Sequence, residues 1–260
     1  MADASHESSE HGPERRAGAR ANDFPYYNGL SQQITGPQWL FVMLGVVAGF
    51  AVLAAPIKWP GGSIGAFVPT ILFFALPLLA LRAVSPVHWR ALFRRIRGRD
   101  IAMMFGFALL NIAVAIGVGT LVKNLWGAAA NPAVGRLQES SALDNVLFLG
   151  RTIPQLFGEE LISVLPFLAL LWLLVGKMGW SRKAGIVMAS LLTALLFGAA
   201  HLPTYEWNIP QCLIIIAVAR LVLLLPYLIT KNIWVSTGAH IINDWIMFTS
   251  AFVGADATSS

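Results

Sequence analysis

The sequence predicts an all-α membrane protein, a polytopic helix bundle with about seven transmembrane helices. Of the 260 residues, 57% are hydrophobic and only 12% are charged, whereas an average soluble domain has about 25% charged residues. The apolar runs last about twenty residues, which is the length a helix needs to cross a hydrocarbon core about 30 Å thick. Strands of a transmembrane barrel would instead alternate polar and apolar residues over segments of about ten residues.

The chain divides into a polar N-terminal tail, one membrane domain and a short polar C-terminal tail. Residues 1–37 carry both charge signs and have no apolar signal-peptide core, so we expect a disordered cytoplasmic tail with local order near 24–27. Residues 38–252 are expected to form the transmembrane domain, with a motif-bearing core at 145–252. The C-terminal tail is expected at 253–260.

Seven apolar segments follow one another in the membrane domain. They lie near residues 38–56, 64–83, 101–122, 146–175, 184–202, 209–230 and 233–252. The first contains Gly45 and Gly49, a spacing of small residues that lets two helices approach closely. The fourth is too long for one straight span and contains Pro154 and Pro166, which remove backbone donors and bend helices. We therefore expect the fourth segment to be broken or partly re-entrant.

Basic residues between the segments indicate the orientation in the membrane. The arginine link, defined as residues 84–100 between the second and third segments, has Arg90, Arg94, Arg95, Arg97 and Arg99. Short links rich in arginine stay in the cytoplasm, which places the N terminus there. Binding of anionic lipid headgroups is an alternative role for the link. The net charge of +5 does not indicate nucleic-acid binding, because no basic stretch interleaves with exposed aromatics.

Several ionisable side chains fall inside the apolar segments, where they are costly and usually mark a functional path. They are Glu159, Glu160, His201, Arg220, His240 and Asp244, with Arg151 near an edge. His240 and Asp244 are four residues apart, with Asn243 three from His240, so all three share one helix face. Glu159 and Glu160 point about 100° apart on a helix, so one faces the site and the other supports it.

Such side chains can hydrolyse an amide if three helices bring them together. A glutamate beside a histidine can hold a water molecule and take its proton, and the resulting hydroxide attacks the carbonyl carbon. A second histidine, with Asn or protonated Asp, can donate to the developing oxyanion. Alternatively, Glu159, His201 and His240 could hold a divalent metal such as Zn²⁺. A third interpretation is an ion or proton relay through the glutamates and Arg220.

Three motifs together resemble those of the CAAX-processing and bacteriocin-processing family of intramembrane proteases. They are "GEE" at 158–160, "FGAAHLP" at 197–203 and "NIWVSTGAHIIND" at 232–244. They correspond to the family motifs EExxxR, FxxxH and HxxxN/D. The resemblance implies that Glu159 activates water together with His201, and that His240 and Asp244 form the oxyanion site, with Glu160 and Asn243 beside them.

The resemblance implies an intramembrane endopeptidase in a prokaryotic cell membrane, surrounded by lipid and acting on a membrane-associated peptide or C-terminal tail. Family substrates are cytosolic, so we expect the cavity to open at the cytoplasmic end, where the arginine link lies. The alternatives are a catalytically silent relative that binds a partner or confers immunity, and an ion or proton transporter.

One position departs from the family pattern. Val164 stands where EExxxR has arginine. We expect Arg220, in the middle of the sixth segment, to supply that charge by pairing with Glu160 first or with Asp244 second, because an arginine left in lipid costs several kcal/mol. By simple counting, His201 lies late in its span and His240 early, so we expect tilted or broken helices to bring them to one level.

Overall fold

The computed structural model describes residues 23–28, 33–139 and 141–259, without the side chains of 136–139 and 251–259. Most of these residues are helical, and no strand occurs among them. The helices are α1 Gly36–Ala54, α2 Gly62–Gly65, α3 Phe67–Val84, α4 Gly98–Trp126, α5 Pro132–Glu139, α6 Ala142–Leu171, α7 Arg182–Ala200, α8 Ala217–Thr230 and α9 Ile233–Ser259. Turns of π-helix extend α6 to Lys177 and precede α8 from Gln211. The all-α bundle that we expected is confirmed.

Six helices in the described part of the chain are long and apolar enough to cross a membrane. They are Gly36–Ala54, Gly62–Val84, Gly98–Trp126, Ala142–Lys177, Arg182–Ala200 and Gln211–Thr230. Six of the seven expected segments therefore form helices that are long and apolar enough to cross a membrane. The seventh forms α9, which packs against α4, α6 and α8 inside the bundle. Its polar residues, among them His240, Asn243 and Asp244, make it less apolar than the other six.

The fourth segment is continuous, so the expectation that it is broken or partly re-entrant is wrong. α6 passes through Pro154 and Pro166 and continues to Lys177, which gives 36 helical residues. It is the most buried of the six spans, and α3, α7 and α9 pack against it. Neighbouring helices can hold a proline-containing membrane helix in place. At 1.5 Å per residue this helix measures about 54 Å, so it tilts or extends beyond the hydrocarbon core.

Helices α1 and α3 approach each other closely at the two glycines that the sequence singled out. A Cβ atom on Gly45 would lie 2.7 Å from the Cβ of Ala80, and one on Gly49 would lie 2.6 Å from the carbonyl oxygen of Phe73. Real side chains do not tolerate such distances. The prediction of close helix packing at Gly45 and Gly49 is confirmed, and its partner is α3.

A short N-terminal segment, residues 23–28, closes the end of the bundle that carries the arginine link. Phe24, Tyr26 and Tyr27 are each no more than 2% exposed, so this segment is buried in the bundle. Arg182 Nη2 donates to Asp23 Oδ1 at 2.6 Å. Burial opposes ionisation of Asp23, but hydrogen bonds from Arg182 and Tyr27 outweigh it and hold the pKa of this carboxyl below its usual value.

The predicted N-terminal tail is described only in part, whereas the predicted C-terminal tail is helical to Ser259. Residues 1–22 and 29–32 lie outside the described residues, so the disordered tail stays a prediction there. At the C-terminal end, α9 continues to Ser259, past the expected end of the membrane domain at 252.

The contact between α1 and α3 predicts a difference between two glycine substitutions. Gly49→Ala should lower the unfolding temperature in detergent, because the new methyl group meets backbone rather than a movable side chain, and overpacking of this kind costs about 1–3 kcal/mol. A Cβ atom on Gly106 in α4 would have no neighbouring atom within 4 Å, so Gly106→Ala should be neutral or stabilising. Equal unfolding temperatures for the two variants would contradict this packing.

Candidate active site

The two adjacent glutamates of α6 face different environments. Glu160 is completely buried, whereas the side chain of Glu159 lines a cavity and is 12% exposed. Gln155, one turn earlier on the same helix, donates its Nε2 to Glu159 Oε1 at 3.2 Å. The angular offset between neighbouring helical residues therefore separates the carboxylates as the sequence predicted.

Glu160 binds two groups from two other helices. Arg220 Nη1 of α8 donates to Glu160 Oε1 at 2.6 Å, and both side chains have no exposed surface. His240 Nδ1 of α9 lies 2.9 Å from the same oxygen. The Arg220 guanidinium also lies over the Phe197 ring, 5.2 Å from its centroid. The predicted pairing of Arg220 with Glu160 is confirmed.

The contact with Glu160 orients His240. A carboxylate oxygen accepts hydrogen bonds, so Nδ1 carries the proton and donates to Glu160. Nε2 then points toward the cavity, where it lies 3.8 Å from Glu159 Oε2 and 3.7 Å from Asp244 Oδ1. Such a bond from a supporting group fixes the tautomer and the ring orientation of a functional histidine.

His201 also has a defined tautomer. It caps the C-terminal end of α7, and its Nδ1 lies 2.8 Å from the carbonyl oxygen of Phe197. Because a carbonyl oxygen only accepts, Nδ1 is the donor, and Nε2 of the neutral ring keeps its lone pair. The ring packs on Phe197 with 4.6 Å between centroids. His201 lines the same cavity as Glu159 and His240, so the two histidines do lie at one site.

Asn243 and Asp244 complete the α9 side of the site. Asn243 Nδ2 donates to Asp244 Oδ1 at 2.9 Å, and Asn111 Nδ2 of α4 donates to Asn243 Oδ1 at 3.0 Å. This chain of hydrogen bonds fixes both side chains on the cavity wall. Of the predicted site residues, Glu159, His201, His240, Asn243 and Asp244 line the cavity, and Glu160 lies buried behind it.

Sequence reasoning missed several residues of the site. Asn111 is a polar residue in the middle of the third apolar segment. Because a buried polar group without a hydrogen-bond partner is costly, its position could have identified it as a site residue. Gln155, inside the fourth apolar segment, carried the same signal, whereas Tyr205 lies between two segments and carried none. Burial, and after it the charges of Asp244 and Glu159, raise the pKa of Tyr205 to about 12, so its hydroxyl keeps its proton and can donate.

The site has two chambers, and Glu159 and His201 lie in the walls of both. The first has a volume of about 370 Å³ and includes the polar residues of α9. The second has a volume of about 490 Å³ and is walled mainly by apolar side chains of α1 and α3, such as Phe50 and Leu53. Arg151, Gln155, Glu159, His201 and Thr204 line both chambers.

The first chamber opens at the end of the bundle opposite to the arginine link. Its rim includes Asn131, Pro132, Thr204 and Tyr205, which follow the C-terminal ends of α4 and α7. Both helices begin at the end where the arginine link lies. The expectation that the cavity opens at the arginine-link end is therefore wrong, because the aromatic N-terminal segment and the apolar core fill that end.

A comparison with protein families gives one match. Residues 142–246 match the model of a family described as type II CAAX prenyl endopeptidase Rce1-like. This confirms the resemblance that the three motifs indicated, because the matched residues contain all of them. The family is a protease family, so the match supports a CAAX-type intramembrane endopeptidase in general, in an integral membrane protein. Comparisons with curated proteins and with solved structures each gave no significant match.

The position that departs from the family motif lies in the apolar core. Val164 has no exposed surface and belongs to the same cluster of buried apolar residues as Leu161 and Leu165. The cation that pairs with Glu160 comes from α8 instead, as Arg220. The chain thus has a charged partner for Glu160 without an arginine in its EExxxR position.

The divalent metal that the sequence offered as an alternative stays a prediction. Among the residues that the structure describes, no group of three or more His, Cys, Asp or Glu side chains is placed to hold a metal ion. The alternative that Glu159, His201 and His240 bind Zn²⁺ has no support from these positions. A glutamate, a histidine and a water molecule are sufficient for general-base hydrolysis of an amide.

The buried pair of Glu160 and Arg220 predicts strong coupling between two substitutions. Arg220→Gln should lower the free energy of unfolding by about 3–5 kcal/mol, because it leaves the Glu160 carboxylate buried without its cation. The double variant Glu160→Gln/Arg220→Gln should lose less than the sum of the two single losses. Denaturant unfolding in detergent measures all four proteins, and additive losses would show that the pair is not a unit.

Proposed function

We propose that this protein is an intramembrane endopeptidase that hydrolyses a peptide bond with a water molecule activated by Glu159 and His201. Its substrate is a membrane-associated peptide or the C-terminal tail of a membrane-anchored protein, and it works in a prokaryotic cell membrane. The observation that carries the proposal is the cavity shared by Glu159, His201 and His240, which come from three different helices. The match to a family of CAAX endopeptidases supports the reaction class.

Glu159 is the general base of the proposed reaction. Its carboxylate and the unprotonated Nε2 of His201 can both accept a hydrogen bond from one water molecule, which places the water oxygen toward a bound peptide. Glu159 takes the proton as the oxygen attacks the carbonyl carbon. A positioned general base of this kind contributes about 10²–10⁴-fold to the rate.

His240 and its neighbours stabilise the oxyanion in this proposal. Glu160 accepts from Nδ1 and holds the His240 ring so that Nε2 points into the cavity, and the doubly protonated imidazolium then donates from Nε2 to the developing negative charge. The Tyr205 hydroxyl is a further donor on the cavity wall. When the carbon–nitrogen bond breaks, the leaving amine takes the proton from Glu159, which restores the carboxylate.

A catalytically silent relative that binds peptides is the second candidate function. Its support is the departure at Val164, because the family motif has arginine there. The pairing of Arg220 with Glu160 weakens this support, since the buried carboxylate still has a cationic partner.

Release of peptides by the purified protein in detergent tests the proposed function. Glu159→Gln should lower the rate of cleavage by about 10²–10⁴-fold, because the amide cannot take the proton from water. Glu206→Gln is the matched control, since Glu206 is exposed and does not line the cavity, and it should cleave at the wild-type rate. The assay uses a library of quenched fluorescent peptides with lipidated and unmodified members. Cleavage by the Glu159→Gln variant at the wild-type rate would contradict the role of Glu159. If the wild-type protein cleaves no member of the library, the result would favour the silent relative.

A further inference from the structure

We infer that the cavity takes its substrate from the non-cytoplasmic side of the membrane, so that the substrate class is an exported peptide or a protein tail at the outer leaflet. The inference rests on the proposed function for the fact that a peptide is bound. It differs from the cytosolic substrates that the family resemblance implied. Four observations carry it: the distribution of basic residues, the rim of the cavity, the closed opposite end and the positions of exposed tryptophans.

Basic residues are strongly biased toward one end of the bundle. At the end with the arginine link they are Arg82, Arg90, Arg94, Arg95, Arg97, Arg99, Lys177, Arg182, Lys183 and Lys231. At the opposite end they are Lys58, Lys123, Arg136 and Arg151. Short links with an excess of Lys and Arg remain in the cytoplasm. The arginine-link end is therefore the cytoplasmic end.

The mouth of the cavity lies at the non-cytoplasmic end of the bundle. The rim residues Asn131 and Pro132 follow the last turn of α4, and Thr204 and Tyr205 follow the last turn of α7. Along α6, Arg151 is eight residues before Glu159, so about 12 Å of helix separates it from the proposed base. An extended peptide of about four residues spans that depth. A segment entering from the non-cytoplasmic surface can thus reach Glu159.

Packed side chains close the cytoplasmic end below the site. The α6 residues Leu161, Leu165 and Leu168 have no exposed surface. Beyond them, Phe24 packs against Phe167 and Tyr227, with ring centroids 5.3 Å and 6.1 Å apart, respectively. The Tyr26 hydroxyl donates to a carbonyl oxygen of the arginine link at 2.7 Å, which holds the N-terminal segment in place. A peptide in the cytoplasm would have to displace this cluster to reach Glu159.

Exposed tryptophans place the rim at the membrane surface. Trp126 ends α4 and is 56% exposed, and Trp207 follows the turn after α7 and is 68% exposed. Tryptophan is enriched at the two interfaces between membrane and water. The rim residues Asn131 and Thr204 lie within a few positions of these tryptophans along the chain, so the mouth reaches water or headgroups rather than lipid tails.

Cysteine labelling with a membrane-impermeant maleimide tests the inference, and it does not require catalysis. The background is Cys212→Ala, since Cys212 is the one cysteine of the chain. Thr204→Cys reports on the rim, and Arg95→Cys, in the arginine link, is the matched control at the other end. Both positions are exposed. Right-side-out and inverted vesicles from expressing cells are labelled in parallel.

Thr204→Cys should react in right-side-out vesicles and lose that reaction in inverted ones, whereas Arg95→Cys should show the reverse. Labelling of Thr204→Cys in inverted vesicles alone, labelling of both positions from one side, or no labelling at the rim would each overturn the inference. Ala133→Cys, also on the cavity wall, repeats the test if Thr204→Cys does not fold. A protein that cleaves no peptide but shows the expected labelling would refute the proposed function and leave the orientation intact.

Discussion

The ion pair between Glu160 and Arg220 is the interaction on which the rest of the site depends. Both side chains are fully buried, and a separation of 2.6 Å allows a direct hydrogen bond between charged groups. Either charge alone would be very costly at this depth. The pair joins α6 to α8, and the bond from His240 to the same carboxylate oxygen adds α9. One carboxylate thereby fixes the relative positions of three helices around the cavity.

This arrangement explains why two glutamates lie side by side. Glu160 serves structure and orientation, because it binds Arg220 and sets the tautomer of His240. Glu159, one position earlier, is turned toward the cavity. It accepts a hydrogen bond from Gln155 at 3.2 Å, and it has no contact with a buried arginine like the one that Glu160 makes. A base must be able to take and release a proton, and a carboxylate held by a buried arginine would do so poorly. Separate side chains for the two tasks satisfy both requirements.

Much of the fold and of the site could be predicted from the sequence, because charges and small residues have few tolerable environments in a bilayer. The pairing of Arg220 with Glu160 followed from the cost of an isolated arginine, and the packing at Gly49 followed from the spacing of small residues. The continuity of α6 could not be predicted, since it depends on neighbours that support a helix through Pro154. Entry opposite to the arginine link also depends on tertiary packing, because Phe24 and its neighbours fill the other end.

The central claim is that the two neighbouring carboxylates have different roles, and unfolding temperatures of two isosteric variants test it most directly. Glu160→Gln should lower the unfolding temperature in detergent clearly, because Arg220 is then buried without an anion. Glu159→Gln should leave it close to the wild-type value, because the new amide can still bond with Gln155 and faces the cavity. The account is contradicted if the two variants lose equal stability, or if Glu159→Gln is the less stable one.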